Sequence, residues 1–351
     1  MGTAGQVFME AWAAVLTTPR TPISRPRSGR AMRTYVLKRL VLFIPTLVIV
    51  TVLVFGILRV VPGDPAMLIL GGESGDDEFT EEQLAALRAK LGTDRNIIIQ
   101  YFSWTGKMLK GDFGTSYFYE GDQVIDDLID RVPTTVELAL LALVLASVMA
   151  VPLGVISALK QDTIADYITR VLSITGIATP NFWVAIMSIY FLVLFFNWAP
   201  PLAYVDPWID PWTNFQQLIF PALALGTSNM AFITRITRSA MLEVLHEDYI
   251  RTARSKGLSE NIVIFRHALR NALLPVVTLS GYEFGRLISG TVIIEVIFLV
   301  PGMGRLLITS ILHRDFPMIQ ATIVLVAVVV LVLNLILDLF YAYLNPRIRY
   351  N

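Results

Sequence analysis

Two charged residues, Glu283 and Arg286, stand three positions apart inside an apolar stretch of the chain. Counted from Pro275 as the edge of a membrane-spanning helix, they would lie about 12 and 16 Å deep, near the middle of a bilayer. Charges at that depth are costly, and residues three apart on a helix can pair. They therefore either line a path that offers both signs of charge to a transported molecule or form an ion pair that holds helices together.

The usual catalytic motifs are absent from the sequence. Met108 follows Gly106 and Lys107, so the phosphate-binding pattern G-x-x-x-x-G-K-[ST] is missing, as are G-x-S-x-G and H-E-x-x-H. The chain has no cysteine and only three scattered histidines, which excludes disulfides and thiolate metal sites and disfavours a histidine metal cluster. We expect no cofactor, no metal and no enzymatic activity in this chain alone.

A basic segment, residues 248–277, separates two apolar runs and is the second candidate site. Tyr249 and Ala253 share one helical face, and Gly257 suits the left-handed residue that ends a helix. Ser259 can cap a second helix, with Glu260 at its positive end. The predicted shape is a short helix, a tight turn and a second helix at the membrane surface.

An apolar stripe is predicted on the second of these helices, formed by Ile262, Phe265, Leu269 and Leu273. Such a helix–turn–helix can fill a groove on a soluble partner, or it can lie on lipid headgroups as a basic amphipathic helix does. The residue pattern does not choose between these two roles.

The elements around these sites are apolar helices. The chain is 55% hydrophobic and 16% charged, with a mean hydropathy of +0.62. About 20 helical residues cross a hydrocarbon core of about 30 Å. Six runs approach that length, at residues 40–58, 138–159, about 171–199, 218 to about 234, about 272–300 and about 318–337. The composition predicts an all-α membrane protein with six transmembrane helices.

The charges along the chain predict its orientation. Seven basic residues precede the first run, whereas residues 62–133 hold fourteen acidic and six basic residues. Because basic residues favour the cytoplasmic side, both termini and the segment around Gly257 are expected in the cytoplasm, with the acidic insert outside. Within this insert, Thr80 suits the N-cap of a helix that Gly92 ends, and a second helix is predicted to end at Gly111.

The chain is therefore predicted to contain five segments. They are a cytoplasmic tail at 1–31, a first transmembrane helix at 32–61, an extracytoplasmic lobe at 62–133, a five-helix core at 134–346 with a cytoplasmic loop at 239–273, and a cytoplasmic C-terminus at 347–351. The tail is interpreted as a disordered or interfacial segment, or as the product of an upstream start codon with Met32 as the natural beginning.

Other polar and small residues in the runs are expected to have packing roles. Glu295 and Glu137 would anchor turns at the outer ends of their spans, Asp338 would make a local contact, and Arg235 and Arg238 would reach the headgroups. Glycines in GIATP (176–180) and SGYEFGRLISG (280–290) would allow close helix approach. The stretch from Trp198 to Trp212 either packs at the interface or meets a binding protein.

The segment DYIRTARSKGLSENIVIFRHALRNALLPVV resembles the cytoplasmic loop of ATP-binding-cassette (ABC) importer permeases, in the form found in oligopeptide and dipeptide permeases. Gly257 takes the glycine position of that motif, and 251–253 take its Glu-Ala-Ala positions. His267 and Arg270 depart from the motif's Ile and Pro. Similar stretches occur at 59–66, 91–116, 130–142, 299–320 and 334–349, so the resemblance covers about 32–350.

The resemblance implies a type I ABC importer permease in a bacterial or archaeal cytoplasmic membrane. The implied partners are a second homologous permease, two ATP-binding-cassette ATPase subunits, an extracytoplasmic substrate-binding protein and membrane lipid, with no nucleic acid. The loop would couple to the ATPase through Arg251, Thr252, Ala253, Arg254, Lys256, Gly257 and Leu258.

The implied cargo is a di- or oligopeptide, with a nickel chelate, a glycoside or another small solute as alternatives from the same family. Two rival classes remain at this point. An ion-driven secondary transporter would need discontinuous helices with ion sites at the midplane and no ATPase. A scaffold that anchors a soluble partner would transport nothing.

Overall fold

The computed structural model of the chain describes residues 28–60, 64–70, 79–118 and 123–344. The predicted N-terminal tail lies almost wholly outside these residues, as do the predicted C-terminal segment at 347–351 and the side chain of Asp338. No β-strand forms within the described ranges, apart from an isolated bridge between Thr115 and Gln123.

Helices account for most of the described residues. We number them α1 to α12 in chain order: Ser28–Val60, Pro65–Leu70, Glu81–Leu91, Ile97–Met108, Val124–Leu159, Ile164–Ala178, Asn181–Phe196, Pro211–Leu245, Asp248–Ser255, Glu260–Ile297, Met303–Leu312 and Phe316–Leu344. Five of them, α1, α5, α8, α10 and α12, are long and apolar enough to cross a membrane, and the bent pair α6–α7 makes a sixth if it is one span. The all-α fold class is thus confirmed.

The predicted third span, about 171–199, is wrong as a single straight helix. It divides into α6 and α7, which meet at an angle of 105°. Pro180 has no amide hydrogen, and its ring disfavours the helical conformation at the preceding residue. Accordingly Thr179 adopts an extended backbone, with φ −84° and ψ 125°.

The fourth and fifth predicted spans are too short. α8 has 35 residues and continues to Leu245, beyond the predicted end near Thr234. α10 begins at Glu260 rather than near Ala272 and runs through a π-helical segment, Val263–Ala268, to Ile297 as one helix of 38 residues. The second helix of the basic segment is therefore continuous with the fifth span rather than a separate surface helix.

Small residues bring α5 and α8 into close contact along their length. A Cβ atom added at Gly226 would lie 2.9 Å from the carbonyl oxygen of Ala142, and one added at Gly154 would lie 2.6 Å from the Cβ of Thr237. The predicted close approach in GIATP is also confirmed, since a Cβ at Gly176 would be 3.0 Å from that of Ala231. Packing of this kind is the main source of association between helices in lipid.

α6 has its polar face inside and its apolar face outside. Asp166, Thr169 and Ser173 are buried against the rest of the bundle, whereas Ile164, Ile168, Val171, Leu172 and Ile174 are exposed. A soluble amphipathic helix has the reverse arrangement. The outer face of α6 is therefore suited to lipid or to another apolar surface.

The predicted helix after Thr80 is confirmed. Thr80 and Gln83 form a reciprocal capping box, and Gly92 ends the helix in the left-handed conformation at φ +71°. The second lobe helix ends at Met108, three residues before the predicted end, and the turn that follows contains Gly111 at φ +82°. This helix packs on α1 through Tyr101 and Trp104, whose rings lie 5.5 and 5.8 Å from that of Phe55.

Candidate functional site: a basic elbow and the polar clusters around it

The basic segment forms a short helix and a tight turn, residues 248–259, which we call the elbow. α9 ends when Gly257 takes a left-handed conformation at φ +77°, as predicted. The amide of Gly257 donates to the carbonyl of Arg254 at 2.9 Å, and that of Lys256 donates to Thr252 at 3.1 Å. A Cβ at Gly257 would meet nothing within 4 Å, so the requirement for glycine is conformational rather than steric.

One face of the elbow is anchored and the other is open. Ile250 and Ala253 are buried in an apolar cluster with Met241, Val263 and Ala268. The opposite face carries exposed polar and basic side chains, with one apolar residue at its tip: Arg251, Thr252, Arg254, Ser255, Lys256 and Leu258. Of the residues predicted to couple to a partner, only Ala253 belongs mainly to the anchored face.

The predicted apolar stripe on the second helix is wrong at its first two positions, whereas Leu269 and Leu273 are half-buried against apolar clusters as predicted. Ile262 and Phe265 are exposed at 43% and 62%, whereas Val263, Ile264 and Ala268 are buried. The π-helical turn of Val263–Ala268 adds a residue to the repeat and rotates the following helix relative to a 3.6-residue pattern. Tyr249, predicted to share a helical face with Ala253, is much less buried than Ala253, which is 7% exposed. Tyr249 is 41% exposed and accepts a hydrogen bond from the amide of Asn271 at 2.9 Å.

The predicted cap by Ser259 is also wrong. Ser259 occupies the N-cap position of α10 but its side chain makes no capping hydrogen bond. Glu260 reaches back across the turn instead and receives two hydrogen bonds from the guanidinium of Arg254, at 2.6 and 3.2 Å. This bidentate pair closes the elbow around Gly257.

A buried ionic cluster lies beside the helix that leads into the elbow. Asp166 of α6 has no exposed side-chain surface and receives two hydrogen bonds from Arg238 of α8, at 2.8 and 2.9 Å. Arg170, Ser157 and the backbone amide of Asp162 complete its shell, at 3.0, 2.5 and 3.0 Å. Arg238 therefore does not reach out to headgroups as predicted, because a carboxylate inside the bundle holds it.

The predicted pairing of Glu283 with Arg286 is confirmed. A guanidinium nitrogen of Arg286 lies 2.9 and 3.0 Å from the two carboxylate oxygens. The two side chains differ in their surroundings, since Glu283 is 10% exposed and Arg286 is 79% exposed. Arg286 thus lies at the surface of this chain in the second half of α10, and the pair joins two residues of one helix rather than two helices.

A second polar cluster lies at the opposite end of the bundle, where Glu295 anchors the turn after α10 as predicted. Its carboxylate is fully buried, accepts a hydrogen bond from the Thr135 hydroxyl at 2.8 Å, and accepts two more from the amides of Gly304 and Arg305 at 2.7 and 3.0 Å. These amides form the N-terminus of α11, whose dipole favours a negative charge there. The Thr135 hydroxyl also accepts a hydrogen bond from the backbone amide of Met303, at 2.8 Å.

Glu137 and the tryptophan stretch lie at this same end. The Tyr204 hydroxyl donates to Glu137 at 2.8 Å, so this carboxylate fixes the connection between α7 and α8. The Tyr204 hydroxyl is protonated and a donor at neutral pH, and burial raises its pKa further, to about 12. Trp208 and Trp212 are exposed at 87% and 66%, and Trp198 packs on the ring of Phe220.

None of these clusters can hold a metal ion, because no three His, Asp or Glu side chains come together in the described part of the chain. The arrangement instead combines a multi-span helical bundle with a basic elbow at one end and a small lobe at the other. These features define the class of helical transport permeases.

Comparison with known proteins identifies the family. Residues 150–350 match the model of the binding-protein-dependent transport system inner membrane component, and residues 32–139 match the N-terminal model for membrane components of the same systems. The chain therefore belongs to the family of binding-protein-dependent transport system inner membrane components.

Two relatives match almost end to end. The oligopeptide transport system permease protein AppB of Bacillus subtilis (strain 168) is 40% identical over 321 residues, which cover 91% of this chain and 100% of that protein. The dipeptide transport system permease protein DppB of Escherichia coli (strain K12) is 39% identical over 342 residues, covering 91% and 99%. A solved amino acid ABC transporter with histidines shares 18% identity and a TM-score of 0.49, covering 62% of this chain and 94% of that one.

Proposed function

We propose that the chain is the permease subunit of an ATP-driven importer that moves di- or oligopeptides across the cytoplasmic membrane. Its relatives are permease proteins of oligopeptide and dipeptide transport systems, and they match this chain over nearly their whole length. The partners are a second homologous permease, two ATP-binding-cassette ATPase subunits and an extracytoplasmic binding protein. The chain itself conducts the peptide and hydrolyses no ATP.

The elbow is the part that receives force from the ATPase. The observation that carries this assignment is its division into an anchored face, with Ile250 fully buried, and an open basic face around Gly257. A segment that transmits motion needs a surface for the partner and a rigid link to the spans. The second requirement is met because α10 continues without a break from the elbow through the fifth span.

The elbow faces the cytoplasm and the lobe faces outward. This orientation agrees with the excess of basic residues around the elbow and with the fourteen acidic residues in 62–133. It places the Glu295 cluster on the outer side, next to the binding protein, and the Asp166 cluster on the inner side, next to the ATPase.

The face of α10 that carries Arg286 lines the translocation path or its border with the second permease. A side chain that is 79% exposed in this chain would otherwise project a charge into lipid near mid-membrane. Glu283 directs the guanidinium without fully neutralising it, since each carboxylate oxygen contacts the same nitrogen. An exposed arginine on this path can pair with the terminal carboxylate of a peptide.

Disulfide cross-linking tests the coupling assignment. Because the chain contains no cysteine, single-cysteine variants at Leu258 and, as a control on the lobe, at Lys110 introduce one thiol each. In the assembled transporter, Leu258→Cys is expected to cross-link to a cysteine placed in the ATPase cleft, with a yield that changes on ATP binding, whereas Lys110→Cys is not. Cross-linking of neither residue, with transport intact, would contradict the assignment.

A pair of substitutions at Gly257 tests the same assignment by function. Gly257→Val forces a β-branched residue into φ +77°, while Gly257→Asn keeps a residue that tolerates this conformation. We expect Gly257→Val to lower peptide-stimulated ATPase activity and uptake by roughly tenfold or more, since a strained residue of this kind costs about 1–3 kcal/mol and distorts the elbow. Gly257→Asn should retain most activity, and equal loss in both would show that conformation is not the cause.

A further inference from the structure

A cavity of about 530 Å³ lies where the lobe meets the ends of α1 and α12. Phe55 and Arg59 of α1 line one side, Trp104 and Lys107 of α4 line another, and Phe316 closes it at the start of α12. Its volume falls within the range of about 300–1,000 Å³ typical of small-molecule sites. Neither the elbow nor the α10 face uses it.

The cavity collects positive charge from a lobe that is otherwise acidic. Four of the six basic residues in 62–133 line it, together with one from α1, whereas only two of the eight acidic residues described in that range do so. The five cations are Arg59, Arg88, Lys90, Arg95 and Lys107, and the two acids are Asp64 and Asp112. Such segregation favours an anionic ligand.

Most of this positive charge has no counterion among the described residues. Arg88 pairs with Asp64 at 2.6 Å. Arg59 lies over the ring of Phe55, with its guanidinium carbon 5.1 Å from the centroid, and like Lys90 and Lys107 it makes no ion pair with any described side chain. The cavity thus holds a net positive potential that an anion would lower.

The helices that line the cavity also expose apolar surface. α4 exposes Ile98, Phe102 and, just past its end, Leu109, at 63%, 68% and 77%. α1 exposes Ile57 and Val60 at 62% and 83%, at the end of the span where the cavity begins. An apolar helix face beside a cationic site is the arrangement of an interfacial helix that binds anionic lipid. A small soluble anion would leave this apolar surface without a partner.

We propose that this cavity binds the headgroup of an anionic phospholipid, whose acyl chains lie along the exposed apolar faces of α1 and α4. The lipid would then fill the junction between the lobe and the first and last spans and set the position of the lobe over the bundle. The phosphate is recognised by Arg59, Lys90 and Lys107.

Two neutral polar groups in the lining favour a headgroup that also carries hydroxyls. Tyr117 places a phenol in the lining that is a hydrogen-bond donor at neutral pH, as a tyrosine is even without the burial that raises its pKa to about 12. The buried Oε1 of Gln100 receives no hydrogen bond from any described residue. A glycerol hydroxyl can donate to an amide oxygen, which makes phosphatidylglycerol a better fit than a headgroup with an anion alone.

Photolabelling with two lipids tests the proposal. The full-length protein, purified from membranes with its copurifying subunits, is placed in nanodiscs that contain photoactivatable phosphatidylglycerol or photoactivatable phosphatidylcholine, and labelled peptides are located by mass spectrometry. We expect phosphatidylglycerol to label α4 and the end of α1 several-fold more strongly than phosphatidylcholine. Labelling by phosphatidylglycerol should also fall as salt is raised.

A matched pair of variants ties the labelling to the cavity. Lys90→Gln/Lys107→Gln removes two cations of the lining, and Lys110→Gln/Arg131→Gln removes two basic residues of the lobe that do not line it. The first variant should lose roughly 25-fold in preference for phosphatidylglycerol, because each of the two basic residues near a membrane surface contributes a factor of about five. The second variant should behave as the unmodified protein.

Three results would overturn the proposal. Equal labelling by the two lipids, or an equal effect of the two variants, would show that the cavity does not select a headgroup. Protection of the site by inorganic phosphate or by an acidic peptide, with no preference between lipids, would assign it to a soluble anion or to an acidic segment of a protein partner. If either variant assembles poorly, the unmodified protein still tests the proposal. Labelling by phosphatidylglycerol that does not fall as salt is raised would contradict it.

Discussion

At the residue scale, two fully buried carboxylates fix the two ends of the bundle. Asp166 lies near the elbow end and Glu295 near the lobe end, and both have no exposed surface. A buried carboxylate is tolerated only where several donors replace water, and each of these two receives at least three hydrogen bonds. Asp166 links α6 to α8, and Glu295 links α10 to α5 and α11, so each carboxylate holds together helices that are far apart in sequence.

Replacing Asp166 with Asn should destabilise the protein by about 3 kcal/mol, because Arg238 and Arg170 would lose the charge that compensates them inside the bundle. Asp162→Asn is the matched control. Its side chain is 68% exposed and makes a long contact of 3.5 Å with Arg170. Asn also tolerates the backbone φ of +60° at this position. Thermal unfolding in detergent should show a clear loss for the first variant and almost none for the second, and similar losses would contradict the proposed role of Asp166.

Thr135 offers a conservative test of the Glu295 cluster. Thr135→Val keeps the shape of the side chain but removes the hydroxyl that donates to Glu295 and accepts from Met303, leaving both groups buried without that partner. We expect a loss of about 2–3 kcal/mol, the cost of unsatisfied buried polar groups. Thr135→Ser retains the hydroxyl and should lose only the methyl contact, so a thermal shift as large as that of the Val variant would show that the hydrogen bonds are not responsible.

At the element scale, the contact between α5 and α8 depends on residues without side chains. At Gly154 an added Cβ would meet Thr237 at 2.6 Å and the backbone oxygen of Thr234 at 2.7 Å. The backbone oxygen cannot move aside as a flexible side chain could, so the two helices would have to separate. α8 leads directly into the elbow, so this contact sets the position of the elbow relative to the rest of the bundle.

Gly154→Ala should therefore destabilise the bundle by about 1–3 kcal/mol through overpacking. Gly56→Ala on α1 is the matched control, since a Cβ there meets nothing within 4 Å and alanine is the better helix former. The control should be neutral or slightly stabilising. Thermal unfolding of the two variants distinguishes close packing from a general intolerance of alanine, and an equal response would exclude close packing as the cause.

Features that depend on only a few neighbouring residues could be predicted from the sequence. The cap at Thr80, the left-handed residues Gly92 and Gly257, and the pairing of Glu283 with Arg286 each depend on a span of a few residues. The break at Pro180 was not predicted, although proline restricts the residue before it and the T-P pair could have signalled it.

The remaining features depend on packing that the sequence pattern does not contain. Asp166 and Arg238 are separated by 72 positions, and their only signal was an acid near the start of one apolar run and a base near the end of another. The π-helical turn at Val263–Ala268 changes the helical repeat, so a stripe spaced at 3.6 residues per turn fits Leu269 and Leu273 but not Ile262 and Phe265. The apolar outer face of α6 was also not predicted, because its buried face is formed by polar residues, Asp166, Thr169 and Ser173, rather than by apolar ones.

At the scale of the whole molecule, continuous helices join the elbow to the opposite end of the bundle. α10 extends from Glu260 at the elbow to Ile297, next to the Glu295 cluster, and α8 runs from the tryptophan stretch to Leu245, just before the elbow. Under the proposed coupling, movement of the elbow would be transmitted along whole spans to the opposite end. Arg286 lies in the second half of α10, on its open face.

The role of Arg286 can be separated from stability if the pair is removed as a whole. Arg286 is 79% exposed but Glu283 is only 10% exposed, so Arg286→Met alone leaves a buried carboxylate without its partner, whereas the Glu283→Gln/Arg286→Met double variant removes both charges and should leave thermal unfolding nearly unchanged. If the α10 face borders the peptide path, Arg286→Met should lower peptide uptake by roughly tenfold, the worth of one charge-assisted contact with a peptide carboxylate. Arg235→Met, on the exposed side of α8, is the control and should transport normally. Uptake and ATPase activity are measured together in reconstituted vesicles, and full uptake by the Glu283→Gln/Arg286→Met double variant would remove this face from the path.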